Sequence, residues 1–239
     1  MAYIVNWRVF RPDIAHDNAV HWGGLRGKDR EEEDPRNCLE KLRGFAIHAL
    51  QGRKPSDHHK HENQEQVYYL LSGAGEALFD ERRYPTEKGD AIYLPAGVYH
   101  QMFNDGEAWL SHHVISTPVE GNGGTFLIRN WRDVPPLGDG VGAVRWRQLG
   151  REGEDDGGVL RGMTFIDREA VQPRSRSAER RYDDLEQVYY VLEGRGVISI
   201  DETETAITEG DMIHLPPETS YWLANGEEEW LTYMIMAAR

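Results

Sequence analysis

Apolar and polar positions alternate in short runs along the chain, and glycine or proline interrupts them every ten residues or so. VYYLLSGAGEALF (67–79) is apolar, then turns at Ser-Gly-Ala-Gly. AIYLPAGVYHQMF (91–103) alternates with period two and turns at Pro-Ala-Gly, and WLSHHVIST (109–117) alternates again. In a strand, side chains two apart share a face, so these runs predict half-buried β-strands joined by tight turns. Many such strands predict an all-β sandwich or barrel. No long amphipathic helical pattern is present. EEEDPRNCLEKL (31–42), with Pro35 at its start, is the one segment whose pattern admits a short helix.

The pattern occurs twice. At an offset of 121 positions the halves register without a gap from about residue 65 to 110. Glu65-Gln66-Val67-Tyr68-Tyr69 falls on Glu186-Gln187-Val188-Tyr189-Tyr190, Gly89-Asp90 on Gly210-Asp211, and Trp109-Leu110 on Trp230-Leu231. With small shifts Leu42-Arg43-Gly44 resembles Leu160-Arg161-Gly162, and Asn6-Trp7-Arg8 resembles Asn130-Trp131-Arg132. Internal duplication predicts two homologous units, 1–120 and 125–239, joined at the Gly-rich segment 120–124. The charged stretches 30–34 and 150–158 read as solvated loops.

Composition narrows the function classes. The 239 residues, with seven Trp and eleven Tyr, suffice for a substantial core. A net charge of −14 disfavours phosphate backbones and anionic lipid, so no nucleic acid or membrane partner is expected. A small anionic substrate would need a local cation. One cysteine, Cys38, suits a reducing compartment, and a cytoplasmic location is the expectation.

The chemistry sits in HHKHENQEQ, from residue 58. His59 and His61, two apart, can grip one cation from one face of an extended segment. Gln66 opens the next strand, and His100 follows the turn at Pro95-Ala96-Gly97. Imidazoles of this kind suit Fe, Mn, Ni or Zn, and ligand type alone does not choose among them.

Gly89-x5-Pro95-x-Gly97-x2-His100-x3-Asn104 resembles the second cupin motif, and His59-x-His61-x4-Gln66-x6-Gly73 resembles the first, with Gln where the family more often has Glu. The resemblance covers both halves and implies a bicupin: two tandem double-sheet jelly-roll barrels with few short helices. It implies one divalent transition metal ion in the N-terminal unit, held by His59, His61, His100 and Gln66, with Glu65 the rival for the fourth place. The spacing to Gly73 favours Gln66. His58 is expected to face solvent. One of His112 and His113 should face the barrel interior, and Tyr68 and His112 are candidate bases. His16, His21, His48 and His214 have no motif support.

The second unit puts Arg180, Tyr182 and Tyr221 on the three histidines, and Glu218 on Gly97. Arg does not ligate because its guanidinium stays protonated. No metal is expected there, and a structural role is, with Arg180 binding a carboxylate as the rarer alternative. The expected function is Lewis-acid chemistry on a small oxygenated metabolite, such as a hydroxy-ketone or sugar acid, of isomerase, lyase or cyclase type. The alternatives are a ferrous dioxygenase and a non-catalytic binding bicupin. A homodimer is expected because cupins commonly pair.

Overall fold

The computed structural model describes residues 1–154 and 157–239. Asp155 and Asp156, within the charged loop 150–158, lie outside the described residues. Among the described residues there is no α-helix, only the one-turn 3-10 segments Trp7–Val9 and Trp131–Asp133. The candidate helix in 31–42 is instead a turn followed by the strand Asn37–Leu39, which pairs in parallel with Ala19–Gly27. Asn37 and β-branch-free Cys38-Leu39 gain more from an open sheet edge than from an isolated turn of helix, whose nucleation is costly.

Each half is a sandwich of one eight-stranded and one four-stranded sheet. The first large sheet runs Leu127–Asn130, Asp90–Leu94, Gln64–Ser72, Leu110–Pro118, Gly44–Leu50, Ala19–Gly27, Asp13–Ala15. Its small sheet runs Lys54–Pro55, His100–Asn104, Ala74–Phe79, Arg82–Glu87. The second half repeats this order. Its large sheet is Tyr3–Asn6, Asp211–Leu215, Glu186–Glu193, Leu231–Ala238, Met163–Val171, Ala143–Arg151, Leu137–Gly138.

The two halves exchange their first strands. Tyr3–Asn6 closes the edge of the later sheet against Asp211–Leu215, and Leu127–Asn130 closes the edge of the earlier one against Asp90–Leu94. The repeated Asn-Trp-Arg segments secure both arms. Asn6 Nδ2 donates to Asp211 Oδ1 at 2.8 Å, and Asn130 Nδ2 to Asp90 Oδ1 at 2.7 Å. Trp7 packs edge-on against Trp22, and Trp131 against Trp146, each at 5.2 Å. Gly89 and Gly210 have φ of 94° and 92°, and a Cβ on either would come within 2.9 Å of the arm's tryptophan ring. Glycine is required there twice over.

The sheet register corrects one detail of the repeat. Leu39 and Leu160 hold equivalent places, each paired beside the preceding long strand. The offset of 121 therefore reaches back to Leu39, and the Leu-Arg-Gly resemblance at a different offset is not a structural equivalence.

The large sheets pack face to face. Phe45, Val67, Tyr69 and Ile115 from the first half meet Met163, Val188, Tyr190 and Met236 from the second in one continuous core. Each sandwich also has its own interior. Among the described residues the second contains sixteen buried apolar side chains and the first only nine, because inward positions of the first are given to imidazoles.

Candidate metal centre

Period two sorts EQVYY into two faces. Gln66, Tyr68 and Leu70 point into the first sandwich, and Glu65, Val67 and Tyr69 point at the other half. Glu65, fully buried, accepts from Tyr93 Oη at 3.0 Å and from the backbone amides of Arg161, Gly162 and Met163 at 2.8, 2.9 and 2.7 Å. Glu186 repeats the contact from the opposite side. It takes the amides of Glu40, Lys41 and Leu42 at 2.7, 2.9 and 2.9 Å, and His214 Nε2 stands 2.9 Å away. Burial pushes Glu186 up, but His214 and these amides together hold its carboxyl below the usual value. His214, with no motif support in the sequence, is thus part of the clasp between halves. The duplicated Glu clasps, and its neighbour Gln faces the barrel.

His59 and His61 lie in a segment just before the turn at Glu62-Asn63, tied by an antiparallel bridge at His59 to the start of the strand His100–Asn104. His59 N donates to His100 O at 3.2 Å, His100 N to His59 O at 2.8 Å, and Gly97 N to His61 O at 2.7 Å. The three rings face one another with centroids 4.5 to 5.6 Å apart, and one nitrogen from each lies within 4.8 Å of the others. Two of the tautomers follow from the neighbours. His59 Nδ1 is 3.0 Å from Asp57 Oδ1, and His100 Nδ1 is 3.1 Å from Val98 O. Each Nδ1 therefore carries the hydrogen, and each Nε2 presents a lone pair.

His59 Nε2, His61 Nε2, His100 Nε2 and Gln66 Oε1 are all buried without a hydrogen-bond partner. Buried polar atoms are nearly always satisfied, so four together need an explanation. Burial pushes His100 down to about 3 and His61 to about 4, with neighbouring imidazoles adding to the effect, and burial also lowers His59. Neutral lone-pair donors without a proton to share suit a cation.

Tyr68 and His112 face the same interior, rings 4.7 Å apart, and His112 Nδ1 is buried and unpartnered. Burial raises the Tyr68 phenol, keeping it protonated, and lowers His112 to about 3, keeping it neutral. His113 faces the other half between Phe45 and Tyr190. His58 is exposed beside Tyr99.

Three histidines without motif support also come here. His21, His48 and His112 lie opposite one another on adjacent strands, forming a cross-strand row. His16 stacks on His59 at 4.5 Å and shares Asp57 with it, Nδ1 to Oδ1 at 2.8 Å. It does so from a hairpin tip where His16 and Asp17 both have positive φ, 51° and 64°. Turn residues that are not glycine are strained there, which fits a position held for its side chain.

The second half fills the same space from within. Arg180 forms a two-pronged pair with Glu169 at 2.8 and 2.9 Å. Tyr233 Oη donates to Glu169 Oε1 at 2.5 Å, and Tyr221 Oη to Gln187 Oε1 at 2.8 Å. Arg180 does bind a carboxylate, but one of its own chain. At the offset of 121, Glu169 and Tyr233 stand where the first half has His48 and His112. Gln187 is satisfied where Gln66 is not.

The family model described as Cupin domain matches residues 47–115 and again residues 168–236. The chain belongs to the cupin family. This bicupin is 37% identical over 70 residues to the uncharacterized protein MJ1618 of Methanocaldococcus jannaschii, a stretch that is 29% of this chain and 56% of that protein. The match thus spans little more than half the length of that relative. Among solved structures, salicylate 1,2-dioxygenase from Pseudoaminobacter salicylatoxidans in complex with gentisate is 13% identical, with a TM-score of 0.76 over 100% of this chain and 82% of that one. The bacterial pirin YhhW from Escherichia coli in complex with nickel(II) is 15% identical, with a TM-score of 0.72 over 100% and 98%. At these identities the likeness is one of fold. No helix among the described residues is long and apolar enough to cross a membrane.

Proposed function

We propose that the first half of this bicupin holds one divalent transition metal ion, Fe, Mn, Ni or Zn, on His59, His61, His100 and Gln66. We propose that it acts on a small oxygenated metabolite by isomerase, lyase or cyclase chemistry. The observation that carries this reading is the set of four buried, unpartnered ligand atoms. The nickel(II) in the pirin structure supports a metal in this fold. In a neutral ligand set the ion keeps its full charge and serves as a Lewis acid toward substrate oxygen.

The chain's own groups do the rest. Asp57 and Val98 O orient two of the rings. A cavity of about 840 Å³, lined on one side by His48, His61 and Gln66, admits a small molecule beside the ligands. His112 does not line this cavity: it is buried beside His48, neutral and unpartnered at Nδ1, and Tyr68 fixes its ring by packing.

Metal analysis of untagged protein, with oxygen uptake measured on the same sample, tests the reading. About one ion per chain without oxygen uptake is expected. Iron with oxygen uptake would move the chemistry to a ferrous dioxygenase. Equal metal content in the wild type and in His100→Ala would refute the site.

A further inference from the structure

The cavity beside the metal ligands has a second end. Besides His61 and Gln66 it is lined by Arg26, Gly44 and Ser116. The strand registers set these in one row across the large sheet: Gln66 opposite Ser116, Ser116 opposite Gly44, Gly44 opposite Arg26. The row spans three strand spacings, roughly 14 Å from backbone to backbone. Gly44, in its middle, contributes no side chain, so the floor between Gln66 and Arg26 is open.

The second half supplies an internal control. The same row there reads Gln187, Ala237, Phe165, Gly150. Phe165 is buried and covered by the Arg147 guanidinium, 4.3 Å from its ring centroid. The half that lacks the clustered imidazoles has a closed floor, with Gly150 where Arg26 stands and its Arg147 guanidinium lying on Phe165 and paired with Asp167. The half with the cluster has an open floor ending in an arginine.

Arg26 is also the loosely engaged cation of this region. Asp29 pairs with Arg43, Asp34 with Arg36, and Asp13 with His21. Among the described residues the nearest carboxylate oxygen to Arg26 is Glu32 Oε2, 3.7 Å away on a largely exposed side chain. Arg30 also borders the cavity but is exposed, at its rim. In a chain of net charge −14, a partly buried and underused guanidinium facing a cavity is a local exception to the field.

We infer that Arg26 anchors the distal carboxylate of a small diacid whose other, oxygen-bearing end lies against His59, His61, His100 and Gln66. This rests on the metal reading above and adds its substrate class. The planar guanidinium fork suits two-pronged carboxylate binding, and Gly44 leaves the path for the chain between. The anchor answers the demand that an acidic protein places on any anionic substrate.

The test is binding, measured by calorimetry on metal-loaded protein, with metal content determined on every sample. The probes are the 2-hydroxy diacids malate and 2-hydroxyglutarate. Their controls are 2-hydroxybutyrate and 2-hydroxypentanoate, which keep the chain length and hydroxy-acid end but lack the distal carboxylate. The diacids should bind about tenfold more tightly than their controls, as a charge-assisted pair supplies. Arg26→Gln should abolish that preference while leaving the controls and the metal content unchanged, and Arg30→Gln should leave it intact. Gly44→Phe, which copies the floor of the second half, should weaken all four acids with metal retained. Equal binding of diacids and controls by the metal-loaded wild type, or a preference that survives Arg26→Gln, overturns the inference. Protein that takes up no metal fails the underlying reading and the inference with it. Metal-loaded protein indifferent to the distal carboxylate fails the inference alone.

Discussion

Glu65 and Gln66 are neighbours in sequence with opposite assignments, and substituting each separates them. Glu65→Ala removes an acceptor from three backbone amides and the Tyr93 hydroxyl in a fully buried place. At about 1 kcal/mol for each orphaned donor, a lower bound, the loss is about 4 kcal/mol. With a urea dependence of about 3 kcal/mol per molar for a chain of this size, the midpoint should fall by somewhat more than about 1 M. The measurement belongs on metal-free protein in chelator, because a bound ion would add its own stabilisation. Gln66→Ala removes an oxygen that has no partner in the protein, so its midpoint should move by about 1 kcal/mol or less. Its metal affinity should fall at least about tenfold, whereas Glu65→Ala should retain metal as long as it is folded. The reverse pattern would refute the assignment of faces: Glu65→Ala shedding metal at an unchanged midpoint, with Gln66→Ala destabilised but metal-loaded.

Other outcomes follow from the same geometry. His59→Ala or His100→Ala should abolish metal binding, whereas Tyr221→Phe should cost about 1–2 kcal/mol through its bonds to Gln187 and Tyr189 and leave metal content alone, as read by elemental analysis and thermal melts. Arg180→Ala leaves the buried Glu169 carboxylate without its cation and should destabilise by about 3–5 kcal/mol in urea titration, again with metal unchanged. His48, His112 and His113 are pushed down by burial to about 2, 3 and 3, from an unfolded value near 6.5. Above that value all three are neutral whether folded or not. Below it the unfolded chain binds protons that the fold refuses, so metal-free protein should lose roughly 4 kcal/mol per pH unit from these three as pH drops toward 3. Tryptophan fluorescence should show unfolding between about pH 6 and 4, and a metal-free protein still folded at pH 3.5 would contradict the burial of neutral imidazoles.

The sandwich was legible because period-two alternation and turn residues are local, and because the chain states its pattern twice. The separation of Gln66 from Glu65 was legible for the same reason, since adjacent strand residues must face opposite ways. The rest of the histidine cluster was not. His48 meets His21 and His112 only through the register of three strands drawn from residues 19–118, and no spacing in the sequence encodes that register. His16 carried one faint signal, a polar His-Asp pair between the short strands Asp13–Ala15 and Ala19–Gly27, which marks a hairpin tip without saying what the tip touches. The segment 31–42 misled because Glu, Lys and Leu favour helices locally, while the open edge beside Arg26 and Gly27 rewarded extended backbone. The clasp of Glu186 was hidden because its donors are backbone amides some 145 residues away.

The exchange of first strands gives the polypeptide a particular kinship. Each half, taken singly, would present a free arm and a bare sheet edge that the arm's counterpart fits, and two identical copies would satisfy both needs by swapping arms about a twofold axis. The chain is in effect such an arm-swapped dimer written as one polypeptide. Fusion releases the two copies from identity. One keeps the imidazole cluster, an open floor and fewer apolar residues inside, and the other becomes a dense scaffold whose Arg, Glu and Tyr hold the space shut. The division of labour is then a freedom that a true homodimer, bound to repeat every substitution twice, does not have.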